Sequence, residues 1–187
     1  MPRRFLFFSS LCLLTGLLFV VGCSDDSAPR SSVNIESING NEVLDSDVYN
    51  NGDDGEPGTD DDFIVEDQVP IVLRNRPHDA GLSMRANGPF GAVVLNRYSV
   101  RLPSELELPN ISGGLYLRIP SGSTAIGEVT VIPAEYKQAP PLDQLAYLGG
   151  EIRFTAEITL YGVEEDSREE VVVKGSLPVH CANWGDE

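Results

Sequence analysis

The chain has 187 residues, with 29 Asp or Glu against 13 Lys or Arg, and a formal net charge of −16. Phosphate backbones are bound through clusters of Lys and Arg, so this balance argues against nucleic acid as a partner. The cysteines are Cys12, Cys23 and Cys181, and without a Cys-x-x-Cys spacing they offer neither a haem attachment site nor a zinc knuckle.

Arg3 and Arg4 precede an apolar run from Phe5 to Val21, and the small residue Gly22 precedes Cys23. A basic start, an apolar segment and a small residue at the cut are the layout of a secretory signal. The run of about 17 residues lies at the lower limit for a spanning helix. Ser24, Asp25, Asp26 and Ser27 then follow with no basic stop-transfer cluster. The stretch from Leu18 to Cys23 resembles the lipobox of bacterial lipoproteins. That resemblance implies a signal peptide over 1–22, acylation of Cys23, and a water-soluble body anchored to a membrane of the cell envelope. Ser24 after the cysteine resembles an outer-membrane address. Loss of residues 1–22 removes two arginines and no acid, leaving a net charge of −18. Anionic headgroups repel such a body, so the acyl chains must do the anchoring.

Residues 23–62 are predicted to be a flexible acidic linker. From Ser24 to Asp62 there are twelve acids against Arg30 alone, a composition too poor in apolar side chains to fold by itself. As a coil it would span roughly 35 Å. Residues 32–38 alternate polar with apolar and form a candidate strand. Asp45, Asp47, Asn51, Asp53, Asp54, Asp60, Asp61 and Asp62 are candidate calcium ligands, because calcium takes six to eight oxygens from flexible loops. No register on Gly52, Gly55 or Gly58 satisfies an EF-hand. A solvated acidic spacer is the competing expectation.

Residues 63–187 read as strands and turns. Ile152, Phe154, Ala156, Ile158 and Leu160 fall on one face, and Arg153, Thr155, Glu157 and Thr159 on the other, the period of a half-buried strand. After a polar loop, Val171, Val173, Leu177 and Val179 repeat the alternation, which predicts an antiparallel hairpin. Further strands are predicted at 69–74, 93–102, 115–119 and 125–132. Pro103, Pro109, Pro120 and Pro133 sit at their ends, where a missing amide donor costs little. Six strands at these spacings predict an all-β, antiparallel sandwich. The pattern resembles immunoglobulin-like and fibronectin-like domains, without the paired cysteines of antibody domains.

Chemistry-bearing residues are sparse. Cys181 reads as a buried thiol, with a Cys181, His78 and Asp79 hydrolase site as the remote alternative. Tyr116, Arg118, Tyr136, Tyr147, Tyr161 and Trp184 could supply a carbohydrate platform, since rings with one wet end suit sugar faces as well as sheet edges. The sequence thus predicts a non-catalytic envelope lipoprotein for protein interaction, with an envelope protein as partner, or for envelope assembly, with a calcium-assisted carbohydrate- or ligand-binding module as the alternative.

Overall fold

The computed structural model describes residues 31–53, 55, 59, 60, 62–77 and 91–184. The predicted signal, Cys23, Asp54, Asp61, His78 and Asp79 lie outside the described residues.

Eight strands form: β1 (Ser31–Ile38), β2 (Leu44–Asp47), β3 (Asp67–Pro77), β4 (Val93–Arg101), β5 (Ile111–Ile119), β6 (Thr124–Ile132), β7 (Glu151–Glu164) and β8 (Glu170–Ala182). They make a three-stranded sheet in the order β1-β3-β6 and a five-stranded sheet in the order β2-β8-β7-β4-β5. One apolar core lies between them, with Val69, Ile71 and Leu73 from the first sheet and Leu95, Ile158, Leu160 and Leu177 from the second. The predicted all-β sandwich is therefore present. β3 and β6 of the first sheet face β4, β7 and β8 of the second across this core.

The alternation explains the elements. In β7, Ala156, Ile158 and Leu160 are buried while Arg153, Thr155 and Glu157 are exposed, and β8 pairs with it from Glu151↔Ala182 to Val163↔Glu170. Burial of each Leu or Ile contributes about 1.5–3 kcal/mol, which fixes the register. Two glycines permit close approaches. A Cβ on Gly162 would overlap the Val94 carbonyl oxygen and lie 2.7 Å from Leu95 Cα. A Cβ on Gly113 would overlap the Tyr98 ring. Without it, Tyr98 crosses the core and its hydroxyl accepts the Thr130 N–H of the other sheet at 3.2 Å.

The expectation of a linker through residue 62 is corrected by the structure. β1 pairs antiparallel with β3 from Ser31↔Pro77 to Ile38↔Ile71. A bulge between Ile35 and Ser37 lets Val33 and Ile38 both reach the core. Glu36, Glu42, Asp45, Asp53 and Asp60 are exposed, so these acids weigh on the composition without opposing the fold. A second correction concerns direction: β2 runs parallel to β8, from Leu44↔Val179 to Asp47↔Ala182, so the sandwich is not wholly antiparallel. The third is two short helices, α1 (Ala134–Lys137) and α2 (Asp143–Leu148), each too brief to show a 3.6-residue period. Among the described residues, no helix is long and apolar enough to cross a membrane.

The strand registers define two ends. Ser31, Pro77, Thr124 and Glu164 lie at one end. Asp47, Asp67, Ile132, Glu151 and Ala182 lie at the other, where α1, α2 and Trp184 follow in the chain. β8 alone has 13 residues, so the ends stand about 43 Å apart at the rise of an extended chain.

Candidate functional site

At the Trp184 end the chain places a buried charge cluster beneath an exposed apolar surface. Lys137, in α1, has a side chain only 1% exposed. Its Nζ lies 3.0 Å from Asp67 Oδ2 and donates to the Asp47 carbonyl at 2.6 Å. Ser46 Oγ donates to the same Asp67 oxygen at 2.6 Å. Asp67 belongs to the three-stranded sheet and Ser46 and Asp47 to the five-stranded one, so a single lysine fastens both sheets to α1. Burial pushes the Asp67 carboxyl up, against the opposing pull of Ser46 and Lys137.

Cys181 stands opposite Ser46 in register and is fully buried. Burial pushes its thiol up to about 11, helped by the Asp67 charge and opposed by Ser46 and Lys137. Nucleophilic chemistry needs a thiolate with access to solvent, and neither condition holds. Cys181 packs as a small hydrophobe, as its alternation in β8 predicts.

Among the described residues, several of the predicted calcium ligands make hydrogen bonds or charge contacts within the chain. Asp47 Oδ1 accepts the Trp184 N–H at 3.2 Å. Asp62 Oδ2 accepts the Tyr49 hydroxyl at 2.7 Å and the Thr59 N–H at 2.8 Å. Asp45 faces His180, with Oδ1 3.5 Å from Nδ1, and Asp53 and Asp60 are exposed. Asn51 is half-buried in the same segment. Asn50 and Phe63 exchange both backbone hydrogen bonds, at 3.0 and 3.1 Å, and so tie the segment between them at its base. Among the described residues, no group of three or more His, Cys, Asp or Glu side chains is placed to hold a metal ion.

The aromatic residues do not form one platform. Tyr116 is 82% exposed on β5, and its neighbour Arg118 is engaged by both carboxylate oxygens of Glu165, at 2.8 and 2.7 Å. Tyr161 lies on the same outer face beneath Arg97, whose Cζ is 4.4 Å from the ring centroid. Tyr136 is half-buried against the core. Tyr147 and Trp184 are at the Trp184 end, and sequence patterns gave no sign that Tyr49 would join them. The Tyr49 and Tyr147 rings are 6.3 Å apart, Asn183 Nδ2 donates to the Ala146 carbonyl at 3.2 Å, and Trp184 meets the His180 ring edge-on at 4.8 Å. His180 also contacts Glu151 Oε2 at 2.5 Å. Hydrogen bonds from His180 and then Arg153 hold the Glu151 carboxyl below the usual range. An open groove of about 630 Å³ lies at the connection between β4 and β5, lined by Arg101, Pro103, Ser104, Leu108, Asn110 and Glu157 among others.

Comparison with known proteins finds no matching family model and no matching curated protein. What the chain can do therefore rests on its own surfaces.

The opposite end is closed by buried polar groups that sequence reasoning missed. Glu164 is fully buried and accepts from Ser31 Oγ at 2.9 Å and Ser167 Oγ at 2.6 Å. Asn75 Nδ2 donates to the Gly91 and Ile119 carbonyls at 2.6 and 3.1 Å. Glu164 and Asn75 occupy inward positions of their strands, and an interrupted apolar alternation was the only signal available.

Proposed function

We propose that this chain is a lipid-anchored protein of the bacterial cell envelope, acylated at Cys23, whose sandwich acts without catalysis by binding another envelope protein. The observation that carries this reading is the closeness of the fold to the lipobox. β1 begins at Ser31, eight residues beyond Cys23, so an acylated cysteine keeps the Ser31 end within about 28 Å of the lipid. Ser24 favours the outer membrane. A body with so many acids is repelled by anionic headgroups, and the opposite end then stands away from the bilayer, where a partner can reach it.

Metabolic labelling with an alkyne fatty acid, followed by fractionation, tests the anchor. Wild-type protein is expected to carry label and sediment with membranes, and Cys23→Ser to lose both. Labelling that survives the substitution would contradict the proposal.

A second reading, calcium-assisted binding of carbohydrate, is favoured by the exposed Tyr147 ring beside the acidic segment. Calorimetric titration of calcium, then of neutral oligosaccharides, checks it; heat from both, lost in Tyr147→Ser, would support it over protein binding.

A further inference from the structure

We infer that the Trp184 end is a docking surface for a basic, amphipathic segment of a partner protein. This inference rests on the reading that the sandwich acts by binding protein, and it names the surface and the chemistry.

Exposed apolar side chains are concentrated here. Tyr147 and Leu148, at the close of α2, are 77% and 79% exposed, and Phe63, Val65 and Trp184 are also exposed. Contacts already described tie their segments to this end: Phe63 pairs with Asn50 next to Tyr49, Tyr49 meets Tyr147, and Ala146, beside Tyr147, is bonded to Asn183, beside Trp184. Isolated surface hydrophobes need no explanation, whereas a joined group rimmed by polar residues marks an interaction site. Tyr and Trp are also the side chains that anchor interfaces most strongly.

Charge selects the occupant. Asp60, Glu66 and Glu135 are exposed in the segments at this end, and Asp45 and Glu151 are exposed beside His180 and Arg153. The cations nearby are already engaged: Lys137 is buried against Asp67 and Arg153 pairs with Glu151. An acidic rim around an apolar centre complements Lys or Arg around an apolar anchor. It repels a second copy of this chain, which would bring the same acids, and it repels an anionic membrane surface. The tether leaves from Ser31, at the far end, so acylation does not cover the patch.

The test uses full-length acylated protein in phosphatidylcholine vesicles. The probes are a synthetic helical peptide with lysines on one face and leucines and tryptophan on the other, the same peptide with glutamate for lysine, and an oligolysine. The lysine amphipath is expected to bind, with affinity falling as salt rises, and the glutamate peptide is expected not to bind. The double substitution Tyr147→Ser and Leu148→Ser keeps the net charge. It is expected to weaken the amphipath by about tenfold or more while leaving oligolysine binding unchanged. Ile126→Ser, on the outer face of the other sheet, is expected to change nothing. Both altered residues are about four-fifths exposed, so the melting temperature should hold. Equal amphipath binding by wild type and the double variant, equal binding of the glutamate peptide, or binding of a neutral oligosaccharide in place of the peptide would overturn the inference. Repeating the titration with Cys23→Ser separates the two claims. Retained binding with lost anchoring overturns the anchored reading and leaves the docking surface standing.

Discussion

The two ends of the sandwich are closed in opposite ways. At the Ser31 end, polar groups turn inward: Glu164 and Asn75 are fully buried and bonded to Ser31, Ser167 and backbone carbonyls. At the Trp184 end, one buried cluster around Lys137 and Asp67 lies under side chains that turn outward, with Tyr147 and Leu148 in solvent. Glu164 and the Asn75 amide N–H groups are bonded within the protein, while Asn75 Oδ1 and Ser121 Oγ are buried without a hydrogen-bond partner. The outward apolar groups bury little in the fold, and under the proposed function they are the side chains offered to a partner.

The comparison breaks most sharply at Lys137. Replacing it by Met leaves Asp67 buried without its cation, and a broken buried pair costs about 3–5 kcal/mol. Urea unfolding should show that loss, and adding Asp67→Asn should recover much of it. A cost below about 1 kcal/mol would mean that the lysine does not fasten the two sheets. At the Ser31 end, Asn75→Ala removes donors from two carbonyls and should cost about 1–3 kcal/mol by the same measurement, a smaller effect because no charge is orphaned.

Cys181 sharpens the contrast between buried and offered groups. With its thiol pushed up to about 11 by burial, native protein at neutral pH should resist a maleimide that labels the urea-unfolded chain at once; rapid native labelling would place the thiol at the surface. The smallest effect belongs to the exposed pairs. His180 and Arg153 hold the Glu151 carboxyl below its ordinary range, and Arg118 does the same for Glu165. A depressed carboxylate contributes stability above its unfolded pKa and loses it as pH falls through the folded value. Substituting His180→Ala should therefore move the Glu151 titration back up, as followed by carboxyl NMR, with little change in melting temperature because the pair is solvent-screened.

How much of this was legible depended on whether a strand announced itself through its side chains. β7 and β8 alternate over long stretches, and the six predicted strands all formed. β1 showed its alternation inside an acidic segment, but composition over 23–62 outweighed it in the domain boundary. β2 carries the short sequence Leu44, Asp45, Ser46 and Asp47, whose single large apolar residue gives no period; its place is fixed by a parallel ladder to β8. The Lys137 cluster joins residues 46, 67 and 137, which no local pattern connects. The apolar patch was half visible, since Tyr147 and Trp184 were singled out, while the contact that brings Tyr49 to them depends on the fold.

The orientation on the membrane is the most direct test of the account. Full-length acylated protein would be labelled with a donor dye at Thr124→Cys, near the Ser31 end, or at Glu135→Cys, near the Trp184 end, with acceptor lipid in the vesicle. Buried Cys181 stays silent. Strong energy transfer from position 124 and weak transfer from position 135 is the predicted result. Equal transfer from both, or stronger transfer from position 135, would mean that the apolar end faces the lipid and would contradict the account.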